Sequence, residues 1–339
     1  METIKKIHLT TAGTLAQHIT EQEKNTVTYL KISGQINLND FDVLDDMCTS
    51  DGYYDDYDNY IMNENKPPFL KVLDLGDCIM EGKAILNDFT YYSKLEEVIL
   101  PQNLESTGEE ETFRDSVFLT KVVCPDTLKE IGYGSFINCE KLESINLPDG
   151  LVEICDLAFS GCEKLKGVKI PQNAGLTGGA FAYCYNMDKF EIDENHTHFT
   201  IIDGILFNKD KTKLIAFPSG HKNKNYIVPD GVKIIGDSAF RGSKIETITF
   251  PTSLETIEDW SFCGCYDLQT LDIPDSVTEI GEFAFKWCKN LSQVRLPNDI
   301  KTIKEQTFSG CDKIKEVQVS KNVFIDRWAF SEYTKIIRK

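Results

Sequence analysis

Three things are scarce in this 339-residue chain. No apolar run approaches the ~20 residues that cross a bilayer, so no membrane-inserted helix is expected. Basic residues are outnumbered, Lys+Arg 36 against Asp+Glu 54, for a net charge of −18. Such a balance repels phosphate backbones and anionic lipid, which argues against nucleic acid and membrane surfaces as partners. Histidine is also rare, with only His8, His18, His196, His198 and His221. There is no Gly-rich phosphate loop, no nucleophile elbow and no HExxH. Catalytic residues and cofactors are therefore not expected, and neither is an enzyme. No signal peptide is visible at Met1–Thr10.

What is plentiful is a single phrase. Ser135–Pro148 (SFINCEKLESINLP) returns as Ala158–Pro171, Ser261–Pro274 and Ala284–Pro297. Its Phe falls at Phe89, Phe113, Phe136, Phe159, Phe181, Phe240, Phe262, Phe285, Phe308 and Phe330. The intervals are 24, 23, 23, 22, 59, 22, 23, 23 and 22 residues. A period in the low twenties marks a leucine-rich-repeat solenoid, whose coils bury their apolar side only by stacking on neighbours. The expected fold class is repeat α/β to mainly β, a curved right-handed stack of ~23-residue coils. Parallel strands should line the concave face and short 3₁₀, helical or β segments the convex face, with one inserted β-hairpin.

Each coil carries two apolar segments. The first is L-x-x-I-x-L, as in Leu142/Ile145/Leu147 and Leu268/Leu271/Ile273, and its alternating last pair suits a strand with one buried face. The second is L/V-x-x-I, as in Leu128/Ile131 and Val277/Ile280, followed by a 3₁₀ or short helical turn around the Phe. Six of the eleven cysteines (Cys139, Cys162, Cys184, Cys265, Cys288, Cys311) share the slot three residues after that Phe. Ser116, Ser243, Tyr92 and Tyr333 stand in the same slot, so it does not depend on pairing. These cysteines are expected to be reduced, small and buried.

Residues 1–66 lack the phrase and are expected to cap the stack, with residues 67–339 forming the solenoid. The cap should hold a strand at Ile4–Leu9, a helix capped by Thr10 or Thr11 and running to about Glu23, and a degenerate coil containing Phe41 and Leu44. Within it, residues 45–65 contain seven acidic side chains, four tyrosines and no Lys or Arg. Two readings of this segment stand: a solvated loop, or an acidic-aromatic patch for a basic partner or a cation. Its spacing does not fit an EF-hand. The 59-residue interval hides an insertion at about 194–226. There, alternating apolar residues flank Asn208–Thr212, as in a β-hairpin that projects from the solenoid or lengthens one coil. The last repeat begins at Phe330, and its strand is expected to be incomplete at Lys339. The exposed edge would leave a monomer or an end-to-end dimer.

No metal site is assigned. His196 and His198 come nearest to one, because residues i and i+2 of an extended strand face the same side, but no third ligand lies nearby in sequence. A repeated strand also builds a continuous outward surface. The ligand-binding residues expected on that concave face are Lys121, Ser144, Asn146, Lys169, Lys189, Glu191, Thr247, Thr249, Thr270, Asp272, Gln293 and Arg295. This stripe is polar, small and mixed in charge. It lacks the Trp and Tyr anchors that concentrate energy in protein interfaces.

The phrase A/S-F-x-x-C-x-x-L-x-x-I-x-L-P, with a following I-G at Ile131-Gly132, Ile235-Gly236 and Ile280-Gly281, resembles the BspA-like leucine-rich repeat of bacterial surface and secreted proteins. Asp203–Asn208 with Phe217-Pro218 is similar to that family's hairpin insertion, and Leu30–Gly34 with Leu73–Leu75 to its N-terminal cap. The resemblance implies an extracellular or cell-surface location after removal of a signal peptide. It also implies adhesion to a host matrix or neighbouring-cell protein, and no catalytic residues. No sorting domain follows Lys339, so attachment would come from a removed N-terminal signal or lipid. The expected function is a non-enzymatic protein-interaction or adhesion scaffold. The alternative is a carbohydrate- or metal-binding surface receptor centred on the hairpin.

Overall fold

The computed structural model describes residues 3–49, 52–54, 60–62, 69–82, 84–86, 93–109 and 111–339. Phe89 and Tyr92 of the repeat lie outside the described residues, as do residues 50–51, 55–59 and 63–65 of the acidic segment. The chain forms two compact units, Met1–Leu176 and Thr177–Lys339. Each is a leucine-rich-repeat β-solenoid whose strands pair mostly in parallel.

The first unit opens with strands Ile4–Leu9, Tyr29–Ile36 and Val72–Met80. Strands Glu97–Ile99, Lys121–Val123 and Ser144–Asn146 extend the same sheet. Alternation decides its faces: Val98, Val122 and Ile145 are in register and buried, and their neighbours point outward.

Helices supply the connections at this end. The expected helix from Thr10 or Thr11 to Glu23 is broken. Leu15–Gln17 is a 3₁₀ turn, and Thr20 starts a new helix, Glu21–Lys24, because Thr20 and Glu23 cap each other reciprocally. Phe41 and Leu44, expected in a degenerate coil, lie between the parallel-paired strands Tyr29–Ile36 and Val72–Met80. They sit on the helix Leu38–Cys48, with Phe41, Leu44, Met47 and Cys48 buried at helical spacing. Asp40, in its first turn, is fully buried and accepts the backbone N–H groups of Gly13, Leu15 and Asn37 at 2.7, 2.9 and 3.0 Å. Three donors offset the desolvation of that carboxylate and tie the helix to the preceding turn. Residues 45–48 are thus helix rather than loop, and Gly52–Tyr54 pairs antiparallel with Tyr60–Met62.

Regular coils have three sides. Beside the strand side runs a ladder of two-residue strands: Glu130–Ile131, Glu153–Ile154 and Gly175–Leu176 in the first unit. In the second unit the ladder is Ile234–Ile235, Thr256–Ile257 and Glu279–Ile280. The third side was expected to be 3₁₀ or helical and is instead a pair of turns. The residues two before and two after the repeat Phe are left-handed: Gly134 and Asn138 around Phe136 (φ 57° and 57°), Trp260 and Gly264 around Phe262 (φ 54° and 71°). Alternate N–H groups then point along the stack. Trp260, Phe262 and Gly264 donate to the carbonyls of Glu282, Ala284 and Lys286 at 3.0, 2.7 and 2.8 Å. A third inter-coil ladder therefore runs through the turns and satisfies backbone groups that burial would otherwise orphan.

Inside, the repeat Phe rings stack. Phe113, Phe136 and Phe159 follow at 5.3 and 5.2 Å. In the second unit Phe217, Phe240, Phe262, Phe285, Phe308 and Phe330 follow at 4.7, 4.7, 5.0, 5.2 and 5.1 Å. Each fully buried ring contributes roughly 1.5–3 kcal/mol relative to exposure. Phe217 corrects the sequence spacing, since the 59-residue interval is one long coil followed by an ordinary one. The Phe217 N–H donates to Ala239 O at 2.7 Å, as the Phe240 N–H does to Ser261 O.

The Cys slot has a second requirement besides size. The thiols of Cys265, Cys288 and Cys311 donate to the carbonyls of Phe240, Phe262 and Phe285 at 3.0, 3.3 and 3.0 Å. Cys139 and Cys162 do the same to Phe113 and Phe136 at 3.1 and 3.2 Å. Serine fits because it too is small and a donor, and Ser93 and Ser116 bond each other at 2.9 Å. Tyr333 does not fill the slot, being 71% exposed. All eleven cysteines are free. Burial pushes the thiols of Cys78, Cys124 and Cys265 up to about 12, and those of Cys155 and Cys263 to about 11.

The insertion lengthens its coil rather than projecting. Phe199–Ile202, Ile205–Asn208 and Lys213–Ala216 form an antiparallel meander whose last strand pairs in parallel with Ile234–Ile235. Ile205, Leu206 and Phe207 are fully buried in it. The turn at Asn208–Thr212 is held by Asn208 Oδ1, which accepts the N–H groups of Thr212 and Lys213, both at 2.9 Å. A second turn at Asp203-Gly204 has φ of 51° and 79°, the type I′ geometry that suits a two-residue hairpin. At the far end, Lys335–Arg338 pairs in register with Glu316–Val319, so the last coil completes its strand after all.

Candidate interaction surfaces

The strand side places the expected residues in rows. In the first unit Glu97, Lys121 and Ser144 are in register, as are Ile99, Val123 and Asn146. In the second, Asn225, Thr247, Thr270 and Gln293 form one row, and Asp272 meets Arg295 in the next, with Thr249 opposite Ile227. The charges of these rows are already matched. Lys121 Nζ reaches Glu97 at 2.5 Å and Lys189 Nζ reaches Glu191 at 2.6 Å. Arg295 bonds Asp272 and also Asp275, the latter at 3.0 Å. The Asn298 backbone N–H, then Arg295, hold the Asp275 carboxyl below its usual range. Thr247 Oγ1 donates to Asn225 Oδ1 at 2.8 Å. Lys169 is exposed on the strand Lys169–Ile170. What the face offers is therefore polar hydrogen bonding with little unmatched charge. Past Arg295 the pairing stops, and a hollow lined by Gln293, Arg295, Asn298, Gln318 and Ser320 opens beside Glu316–Val319.

His196 and His198 do not share a strand face. The strand begins only at Phe199. His196 is fully buried and stacked on Phe199 at 5.0 Å, while its Nδ1 accepts the N–H groups of His198 and Phe199, each at 3.2 Å. The ring acts as a local cap for the turn into the meander, and His198 lies exposed beside it. Among the described residues no group of three His, Cys, Asp or Glu side chains is placed to hold a metal. No helix among them is long and apolar enough to cross a membrane.

The turn side of the second unit carries a feature absent from the expected site. Its left-handed positions, filled in the first unit by Asp115, Gly134, Asn138, Leu157 and Gly161, include Tyr183, Trp260, Phe283, Trp287 and Trp328 beside Gly179, Ser238, Gly242, Gly264, Gln306 and Gly310. All three tryptophans of the chain are here. Trp260 and Phe283 stack at 4.1 Å with rings 12° apart. Tyr183 lies across two coils, and a Cβ on Gly242 or Gly264 would overlap its ring or hydroxyl. Cations cover these rings. Arg241 sits 4.9 Å over Trp260, Arg327 3.8 Å over Trp328, and Lys286 4.5 Å over Trp287 and 5.1 Å over Phe283. Lys244 lies over Tyr185 and Lys289 over Tyr266. The sequence signal was present in Asp259-Trp260-Ser261-Phe262, Lys286-Trp287-Cys288 and Arg327-Trp328-Ala329-Phe330. It is legible only once the turns are known to bring positions two before and two after the Phe to one outward side.

Stacked coils with open polar rows and ring-lined turns define a leucine-rich-repeat scaffold. Residues 83–213 and 215–337 match the BspA type leucine rich repeat region, in six copies, and the chain belongs to that family. No curated protein matches it. Among solved structures it is similar to a leucine-rich repeat protein from Eubacterium ventriosum, with 21% identity over 76% of this chain and 79% of that one, at a TM-score of 0.64. The pneumococcal vaccine antigen PcpA is similar at 21% identity over 94% and 82% of the two chains, with a TM-score of 0.52. A leucine rich cell surface protein from Faecalibacterium prausnitzii gives 20% identity over 97% and 74%, with a TM-score of 0.51. At such identities the shared property is the fold.

Proposed function

We propose that this chain is a non-enzymatic adhesion scaffold, displayed on or released from a bacterial surface, that holds a protein of a host or neighbouring cell against its strand side. The carrying observation is the set of in-register outward rows, whose charged members are paired within the protein. Such a face presents many hydrogen-bonding groups without unmatched charges to desolvate on contact. Membership in the BspA type repeat family and likeness to surface proteins support the location. The test is binding of the purified chain to immobilised matrix and cell-surface proteins, run beside a glycan array. A protein should be retained, and Thr270→Arg, which intrudes on the strand row, should weaken its binding at least tenfold. Retention on glycans alone would defeat the proposal.

A further inference from the structure

The second unit is not bonded evenly along its length. From Asn225 to Arg295 each coil pairs with the next on the strand side, and from Lys213 to Ile280 on the side of the two-residue strands. Both ladders then stop at one seam. Among the described residues, Gln293–Arg295 has no pairing with Glu316–Val319, and Glu279–Ile280 has none with Thr302–Ile303. Beyond the seam both ladders resume, Thr302–Ile303 with Phe324–Ile325 and Glu316–Val319 with Lys335–Arg338. Two breaks on different sides of the coil thus fall between the same two stretches, residues 279–296 and 302–319.

Packing agrees that the seam is open on those two sides. Val294, the inward residue at the break, is only partly buried, whereas its counterparts Leu271 and Val317 are 2% and 1% exposed. The strand-side hollow lined by Gln293, Arg295, Gln318 and Ser320 has a volume of about 610 Å³ and lies along this break. A smaller hollow of about 270 Å³ reaches Glu279, Gly281 and Lys304 at the other break. The turn side, by contrast, is whole. Phe283, Phe285 and Trp287 donate their N–H groups to the carbonyls of Glu305, Thr307 and Ser309 at 3.1, 2.8 and 2.8 Å. The rings of Phe285 and Phe308 stack there at 5.2 Å, 4° from parallel, and the Thr307 hydroxyl and Cys311 thiol donate to Gly281 O and Phe285 O beside them. Other ties across the seam are exposed side-chain bonds: Lys304 to Glu279 at 2.7 Å, Lys313 Nζ to Asn290 Oδ1 at 2.6 Å and Ser320 Oγ to Asn298 O at 2.6 Å.

A backbone ladder fixes the spacing of two coils on the side it joins, so a seam laddered on one side alone is free to open about that side. We propose that this seam is a hinge. Residues 302–339 turn as one body about the turn-side ladder at Phe283–Trp287, and the strand-side hollow widens and narrows as they do. The moving body is itself bonded on three sides, since Phe330 stacks on Phe308 at 5.1 Å beside its two strand pairs. The motion changes the angle at which Glu316–Val319 continues the outward rows that end at Arg295, whatever partner those rows hold.

The test places nitroxide labels one coil apart on the full chain carrying Cys124→Ser and Cys155→Ser, the other native thiols being buried. Gln293→Cys with Glu316→Cys spans the strand side of the seam, and Lys289→Cys with Asp312→Cys spans its turn side. Thr270→Cys with Gln293→Cys spans the paired seam before it. Strong dipolar broadening of the whole EPR line is expected from the second and third pairs. The Gln293/Glu316 pair should show a further component with most of that broadening lost. Equal broadening in all three pairs would leave the seam closed and overturn the proposal. Loss of broadening at Lys289/Asp312 as well would overturn the pivot on the turn side. Hydrogen exchange of the unaltered chain is the second measurement, and it asks nothing of a variant's folding. The amides that join Glu316–Val319 to Lys335–Arg338 should be protected to within a hundredfold of those that join Thr270–Asp272 to Gln293–Arg295. A larger deficit would mean that the last coils unfold rather than swing, and would overturn the proposal. Neither readout involves matrix-protein binding, so the outcome is independent of the adhesion test.

Discussion

The strand side and the turn side of the second unit are built from the same coils, yet they treat their cations in opposite ways. On the strand side Arg295 is clamped by Asp272 and Asp275, and Lys224 by Glu246. On the turn side, Lys286 and Arg327 rest on indole rings. A carboxylate partner uses up the charge of a cation, whereas a ring leaves most of it available to a visitor. The coil interior sets the positions of both sides and is indifferent to what they display. One repeat can thus carry a charge-matched surface and a charge-ready one at the same time.

The largest effects should come from the interior that both sides share. A thiol whose pKa is raised in the folded state stabilises the fold fully at pH below its ordinary value, and that stabilisation is lost as pH climbs toward the folded value. Cys265 and Cys124 reach about 12 and Cys263 about 11. Resistance to urea should therefore be flat up to about pH 8 and then fall, by up to ~1.4 kcal/mol per pH unit for each buried thiol. A flat profile through pH 11 would contradict the buried ladder. Phe262→Ala removes a ring stacked on both sides and should cost roughly 3–5 kcal/mol in a denaturant titration. Next in size is a gain. Trp328→Asn relieves a left-handed tryptophan and should raise stability by about 1 kcal/mol, seen as a higher thermal midpoint. A lower midpoint would make that ring structural and weaken the contrast between the two sides. Arg295→Ala breaks only exposed pairs and should cost less than ~1 kcal/mol, a difference that 0.5 M salt erases. Asn146→Ala, outward on the strand side, should change stability by no more than about 0.5 kcal/mol.

The interior was legible because stacking forces each buried slot to recur. Phe136, Cys139, Leu142, Ile145 and Leu147 can be read straight from their repetition. Phe217 escaped because the meander lengthens its coil and hides an ordinary 23-residue step to Phe240. The helix Leu38–Cys48 escaped because Phe41 and Leu44, taken without Met47 and Cys48, fit a coil as well as a helix. Asp40 looked like one acid among many, and only its three backbone donors reveal it as a buried anchor. Within each unit the expected strand residues fall in outward rows, but nothing in their order disclosed that Lys121 and Arg295 were already engaged. The tryptophan strip was hidden for another reason. Its members belong together only through left-handed turns, and a periodicity argument assigns no direction to a turn.

The inter-coil ladder through those turns has a mechanical side. Within each unit, neighbouring coils are fastened along as many as three sides, though strand pairing is missing between Gln293–Arg295 and Glu316–Val319, and in such arrays stability is held between nearest neighbours. Tension on one end of a unit therefore concentrates on the terminal seam and leaves those behind it shielded. Each seam that gives way frees about 23 residues, or roughly 75 Å of slack. If the chain is tethered as proposed, it would absorb a pull coil by coil and shorten again as coils re-stack, so a sudden load would be spread over time.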